Sequence, residues 1–506
     1  MVLPRGRVDR RPPRPAGFFH RRDQLHRPLR CLAVPGRRAA ARAAAGARWR
    51  RLRMDAVPAD GGGGTRQTDG ARQVSHASAR HELVSGRLCA IERGVFTTGS
   101  VSHRPAAPPQ PVRVGLGGSS RRVGQVGRVG QAHDDRPVMT DVPPRLDSLD
   151  VFRGFTIAAM ILVSTPGTWN AVYVPLDHAA WHGWTPTDLV FPFLLFAMGA
   201  AVPFALARRR GSPRRVRRHL VRRALLLFGL GLVLNAIETQ PLHWATFRIP
   251  GVLQRIAIVY LVIAWLTEQG SLRAQIAIAV SVLVGYWAAL TLVPVPGAGA
   301  GVLTPGGNLA SFIDRMLLGR HLLNRLYDPE GLLSTVPAVA TALGGVFAGN
   351  WLKEPRRHHR AAWLWAAGFA AMTAGLAWGH AFPINKNLWT SSFALFSAGL
   401  AAQALAACDW LVDGNSWSDW SRPLAVYGRN ALAAYFLSVG CDSVLTRWTA
   451  ADGSSLKAIL YRGMFASWLR PCCGAEAASL GYAVAYVVLW GVILGEMYRR
   501  RIFIGL

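Results

Sequence analysis

From about residue 150 onward, apolar runs of roughly 20 residues recur along the chain, the length a helix needs to cross a bilayer. Ten are placed, near 150–168, 188–208, 218–237, 250–267, 274–294, 332–352, 360–379, 389–411, 423–444 and 476–496. In lipid only a helix satisfies its own backbone over such a length. The pattern predicts an all-α fold, a polytopic integral membrane helical bundle of about ten transmembrane helices. It leaves no room for a sizeable soluble domain after residue 150.

The polar segments between the runs give the orientation. "ARRRGSPRRVRRHLVRR" at 207–223 is the strongest basic segment, and "KEPRRHHR" at 353–360 and "YRRR" at 498–501 agree with it under alternating spans. Basic loops stay in the cytoplasm, so both termini are expected there. The loops around 169–187, 238–249, 295–331 and 380–388 then face the other side. Within 445–475, "SLKAILYRGMFASWLR" is amphipathic and suits an interfacial position as well as a span.

Composition changes this picture only at the N-terminus. The whole chain has 506 residues and a net charge of +31, a balance that suggests nucleic acid or an anionic membrane. The character shifts near Met139. Residues 1–138 are Arg-, Gly- and Pro-rich, contain no lysine and show no helical or strand periodicity. Three readings compete: a basic disordered segment, a targeting segment, and a mis-assigned start upstream of Met139. The division expected is therefore 1–138, low-complexity and disordered or not native, and 139–506, the membrane domain. No nucleic-acid role is assigned. The six cysteines, Cys31, Cys89, Cys408, Cys441, Cys472 and Cys473, have no metal spacing, and no metal is expected.

The stretch "HAAWHGWTPTDLVFP" from His178 to Pro192 crowds titratable groups at the mouth of the second run. Thr185-Pro186-Thr187-Asp188 is a good helix start, with Thr185 as N-cap, Pro186 at N1 and Asp188 at N3. Trp181 and Trp184 suit a membrane interface. The histidines have no such structural explanation. An imidazole near a helix N-terminus stays neutral more easily, the state a general base requires. A nearby carboxylate would orient it.

Other polar groups recur at run ends. Asp150 and Arg153 are three apart and suit a simple anchoring ion pair. Arg248, Gln254 and Arg255 open the fourth run, and Arg255 falls inside it, where a charge is costly and usually functional. Asp328 and Glu330 precede the sixth run, Asn385, Lys386 and Asn387 the eighth, and Arg429 and Asn430 fall within the ninth. Together they suggest a buried site or pathway.

The stretches "RLDSLDVFRGFTIAAMILVSTPGTW" and "HAAWHGWTPTDLVFPFLLFAMG" resemble the heparan-α-glucosaminide N-acetyltransferase family, bacterial transmembrane acyltransferase branch. "RIPGVLQRIAIVY", "YDPEGLLSTVPA", "INKNLWTSS" and "GRNALAAYF" resemble its later blocks in the same order. The resemblance covers about 145–506. It implies acyl transfer from cytosolic acetyl-CoA or another acyl-CoA, used as co-substrate, to an amino sugar or glycan on the extracytoplasmic side. It places the family's essential histidine on His178 and its aspartate on Asp188, and assigns no role to His182. Where the family commonly carries a functional asparagine this chain has Ser164, which keeps one hydrogen bond but loses the amide's bidentate reach.

On this reading the function is a membrane-embedded acyltransferase, with His178 as general base or acyl carrier. Arg153 and other basic residues would hold CoA phosphates, and Gln254, Arg255, Lys386 or Asn430 would supply further polar contacts, some to the thioester oxyanion. The alternative is a small-molecule, amino-sugar transporter, in which charges inside spans relay protons. A passive scaffold explains the spans but not the polar residues. The expected setting is a bacterial inner membrane, with lipid and the acceptor as partners and a homodimer left open.

Overall fold

A computed structural model describes residues 146–208, 212–239, 242–354, 359–414 and 419–504. The segment 1–138 lies outside the described residues, as do positions 209–211 and 355–358 of the two basic loops. The described chain is all helix and loop. Its helices are α1 (Asp147–Ser164), α2 (Pro186–Ala207), α3 (Pro213–Glu238), α4 (Val252–Gln269), α5 (Leu272–Leu292), α6 (Leu309–Leu318) and α7 (Thr335–Leu352). They continue with α8 (Arg360–Trp378), α9 (Ser391–Cys408), α10 (Arg422–Arg429), α11 (Ala431–Arg447), α12 (Leu456–Tyr461), α13 (Ser467–Cys473) and α14 (Ala475–Arg499).

Eight of these helices are long and apolar enough to cross a membrane: α2, α3, α4, α5, α7, α8, α9 with its π-helical extension to Gly414, and α14. The first and ninth predicted runs are also helical. The first, α1, carries Asp147, Asp150 and Arg153 in its opening turns. The ninth is not one helix: it breaks at Asn430 into α10 and α11. A run of apolar residues records exclusion from water, not backbone continuity, so this break is invisible to the pattern. The amphipathic stretch at 456–473 forms α12, a π-helical turn and α13, packed on Tyr482 of α14.

Close helix packing comes from small residues, as expected where lipid supplies no hydrophobic drive between helices. A Cβ on Gly345 of α7 would lie 2.1 Å from the Phe196 carbonyl of α2, and one on Gly349 would lie 2.3 Å from that of Ala200. Gly154 of α1 against Leu424, and Gly428 of α10 against Asp150, make the same kind of contact. Around this centre, α5 and α8 turn apolar side chains outward. Ile276, Val280, Val284, Trp363, Trp365 and Phe369 are all exposed. Apolar faces of that extent need lipid, not water, beside them.

The helices alternate, so the bundle has two distinguishable ends. One gathers Arg153, Arg208, Arg223 and Arg429. The other gathers the loops before α2, α4, α7 and α9, which carry most of the candidate site residues. These are called below the arginine end and the histidine end.

Candidate active site

Asp188 sits at N3 in the first turn of α2, behind the N-cap Thr185, as predicted. Its Oδ2 accepts the Thr185 backbone N–H at 3.0 Å and that of Ala179 at 3.1 Å. The first of these is the N3-to-N-cap half of a capping box. Thr185 turns its own hydroxyl to donate to the Asp177 carbonyl at 2.7 Å. The second carboxylate oxygen is left for chemistry: Oδ1 lies 2.7 Å from His178 Nδ1. The structural and the functional reading of Asp188 therefore hold together, one for each oxygen. Asp188 is buried, whereas the His178 side chain is 47 % exposed. With Nδ1 turned to the carboxylate, Nε2 is the ring atom available to a reactant.

Lys386 completes this group from a distant part of the chain. Its Nζ is 3.5 Å from Asp188 Oδ1, 3.1 Å from His178 Nδ1 and 3.3 Å from Nε2. Burial pulls the ammonium below the ordinary lysine range, and the Asp188 carboxylate pulls it back up. What brings the two loops together is backbone pairing: Gly183 N–H donates to the Ile384 carbonyl at 2.8 Å. Gly183 has φ +98°, a conformation open to glycine and strained for other residues. His182 sits beside Asn385 at 3.4 Å and edge-on to Trp181, and burial lowers its affinity for a proton.

The loop carrying Lys386 is itself fixed from below. Asn385 is fully buried, and its side-chain oxygen accepts the Leu388 N–H at 2.9 Å. Trp389, also fully buried, has φ +49° and donates to Thr341 Oγ1 at 3.1 Å. Arg255 lies over the Trp389 ring, 5.0 Å from its centroid. Arg255 is buried, as predicted for a charge inside a span. It donates to the Pro329 carbonyl at 2.8 Å, to Ser334 Oγ at 2.5 Å and to Thr335 Oγ1 at 3.2 Å. Its charge is thus spent on ordering the loop ahead of α7.

That loop is held from two further sides. Arg248 binds Asp328 through Nε at 3.0 Å and Nη2 at 2.7 Å, and Glu330 at 2.6 Å. Burial works against the Asp328 charge, but Arg248 outweighs it and holds the carboxyl below its usual range. Asp314 of α6 accepts the Leu332 N–H at 2.8 Å. Burial raises the Asp314 carboxyl to about 6. Nothing in the sequence pattern singled out Asp314. Its only signal was an acid in a short amphipathic segment of a polar loop.

Other predicted site residues lie elsewhere. Asn430 is at the arginine end, where its amide donates to the Ile502 carbonyl at 3.1 Å and its oxygen accepts the Ile504 N–H at 3.0 Å. Both groups are committed to the C-terminal segment, so Asn430 is not grouped with His178 as an oxyanion donor. Gln254 is buried against Gly231 and Gly251, and its Nε2 has no hydrogen-bond partner among the described residues. Ser164 ends α1, and no hydrogen bond joins it to His178 or Asp188 among the described residues.

Arg153 lines the mouth of a cavity of about 550 Å³ between α1, α2, α3, α4, α10 and α11. Along α2 the cavity extends from Arg208 inward to Leu194, a rise of about 21 Å. Its deeper wall is apolar, with Ile157, Leu194, Leu253 and Ile256. Arg208, Arg223 and Arg429 join Arg153 at the mouth, and the Nε atoms of Arg223 and Arg429 have no hydrogen-bond partner among the described residues. His178 does not line the cavity. Asp188 stands one and a half turns or so beyond Leu194 on the same helix, about 9 Å of rise.

Comparison with known proteins agrees with the resemblance carried by the motifs. Residues 145–385 match the family model described as heparan-alpha-glucosaminide N-acetyltransferase, catalytic. The human heparan-alpha-glucosaminide N-acetyltransferase is 29% identical over 425 residues, covering 72% of this chain and 60% of its own length. The mouse protein of that name is 28% identical over 419 residues, covering 71% and 60%. The chain thus spans about three-fifths of the length of these relatives.

Proposed function

We propose that this chain, a relative of the heparan-alpha-glucosaminide N-acetyltransferases, is a membrane-embedded acyltransferase. It moves an acetyl or related acyl group from acyl-CoA to an amino sugar or glycan. The observation that carries this reading is the placement of the His178–Asp188 pair. It caps the helix whose far half lines a deep cavity with an arginine-rich mouth.

The two ends divide the work. The arginine end faces the cytoplasm, by the distribution of basic loops. Guanidiniums there suit the phosphates of CoA, since planar donors bind phosphate in pairs. The apolar inner wall suits an extended arm better than a second charged group. When bound, the thioester supplies the activated acyl group. At the histidine end, His178 Nε2 takes the proton of the acceptor amine or hydroxyl as its nitrogen or oxygen bonds to the acyl carbon, the thioester C–S bond breaks, and CoA leaves as the thiol with that proton. Asp188 holds the ring through Nδ1 and stabilises the positive charge that the ring then gains.

The test uses the full chain in lipid nanodiscs with labelled acetyl-CoA and a panel of amino sugars, beside His178→Ala. Label on sugar from the parent, lost in the variant, is the result expected. No transfer by folded parent protein, together with sugar uptake into proteoliposomes, would overturn the enzyme reading in favour of a transporter.

A further inference from the structure

Three charged or chargeable groups, His178, Asp188 and Lys386, meet within 3.5 Å of one another, and only one of them is an acid. The carboxylate can balance one cation, and a second at these distances would be repelled. Lys386 is placed to be the first. Burial is the largest influence and works against its charge, whereas Asp188, which it faces from the loop before α9, and Glu330 favour that charge and Arg255 opposes it. The groups facing His178 are Asp188 from α2, Lys386, and Asp177, whose carboxylate accepts the His178 backbone N–H at 2.8 Å.

The position of Nζ is informative. The two ring nitrogens of imidazole flank a single carbon. A donor lying nearly as close to one as to the other, 3.1 and 3.3 Å here, sits beside that carbon or over the ring, off both lone-pair axes. The ammonium therefore does not block Nε2. It acts on the ring through its charge.

We propose that Lys386 is a positioning residue whose fixed positive charge keeps His178 in its uncharged, proton-accepting form while leaving Nε2 open to the acceptor. The proposal rests on the acyltransferase reading for the purpose it serves, but the charge coupling is measurable without it. In this arrangement Asp188 orients the ring, and Lys386 stops the resulting ion pair from trapping a proton on it before the acceptor arrives. During transfer the acceptor nitrogen or oxygen bonds to the acyl carbon as its proton passes to Nε2, the thioester C–S bond breaks, and the ring, which the ammonium disfavours as a lasting imidazolium, gives that proton up so that CoA leaves as the thiol.

The experiment is the pH dependence of two readouts in the full chain in nanodiscs. One is carbethoxylation of His178 by diethylpyrocarbonate, which needs the uncharged ring, followed by peptide mass spectrometry. The other is label transfer from acetyl-CoA. Lys386→Met is expected to move the midpoint of His178 modification, and the acid limb of the rate, upward by about one pH unit. Lys386→Arg, which keeps the charge, is expected to leave the midpoint within a few tenths of the parent, and Asp188→Asn to move it the other way. An unchanged midpoint in folded Lys386→Met would overturn the proposal. A shifted midpoint in a parent that transfers no label would sustain the coupling and sink the acyltransferase reading instead.

Discussion

The two ends of the bundle are built on opposite principles. At the histidine end most polar atoms are spoken for, Gln254 Nε2 excepted. Asp188 uses both oxygens, Arg255 is held by four hydrogen-bond partners, and Arg248 bridges two carboxylates. At the arginine end the cavity is wide, and the buried Nε of Arg223 has no hydrogen-bond partner among the described residues, while Arg429, whose Nε also makes no hydrogen bond there, is ion-paired with Asp147 and Asp150. Full hydrogen bonding fixes groups in position before a reactant arrives. Cationic groups left with spare donors around an apolar cavity suit a ligand that brings its own negative charge. On the proposed function, one end is organised for chemistry and the other for capture.

On this division the largest effects come from the histidine end. His178→Ala and Asp188→Asn should each lower acyl transfer by about a hundredfold or more. Binding of CoA, followed by isothermal titration, should be nearly unchanged in both. A variant that loses transfer and CoA binding together would erase the distinction between the ends. Arg255→Met tests whether order at the histidine end depends on this one buried charge. It leaves the Pro329 and Gly331 carbonyls, Ser334 and Thr335 without this donor and should cost about 2–3 kcal/mol of stability. A thermal midpoint in detergent close to that of the parent would show that the loop ahead of α7 is ordered by other contacts.

How much of this contrast could be read in the sequence depended on how local its cause was. The start of α2 was legible because a capping box is written in four consecutive residues, Thr185 to Asp188. The apolar runs marked every long helix for the same reason. The break at Asn430 was not legible, since the run read as one span from about 423 to 444, across Arg429 and Asn430. Nor was the pairing of Lys386 with His178, which are 208 residues apart in sequence and meet through a backbone contact at Gly183. Arg255 was recognisable as a costly buried charge, but its partners in the 329–335 loop were not. The cavity belongs to six helices at once and has no signature in any one of them.

Asp314 gives an effect of intermediate size, and its sign can be worked out. Burial raises its carboxyl from the usual aspartate range to about 6 in the folded protein. A carboxyl raised on folding contributes stability that is fully present below its unfolded value, near 4, and is lost as pH rises through the folded one. Between about pH 4 and 7 the contribution lost is about 2–3 kcal/mol. Thermal unfolding in detergent should therefore show a midpoint that falls as pH rises through 6. Asp314→Asn, which can still accept the Leu332 N–H, should flatten that dependence. A midpoint that rises across the same window would mean that the carboxylate, not the acid, is the form the loop requires.

The smallest effect bears on the capture end. Arg223 lines the cavity mouth, stacks on Tyr260 with its guanidinium carbon 4.9 Å from the ring centroid, and keeps Nε without a hydrogen-bond partner among the described residues. A stacked guanidinium is held flat, with its edge free to bind a phosphate in two-point fashion. Losing one such contact at a partly exposed site should raise the KM for acetyl-CoA about tenfold, equivalent to about 1.4 kcal/mol, with kcat little changed. Dephospho-CoA as donor identifies the phosphate concerned. If Arg223 holds the 3′-phosphate, the parent should discriminate against the dephospho donor and Arg223→Ala should not. If it holds the diphosphate, Arg223→Ala should weaken both donors equally. A variant with the parent's KM for both would show that the unpartnered guanidinium has no part in capture, and the contrast between the two ends would then rest on the cavity's shape alone.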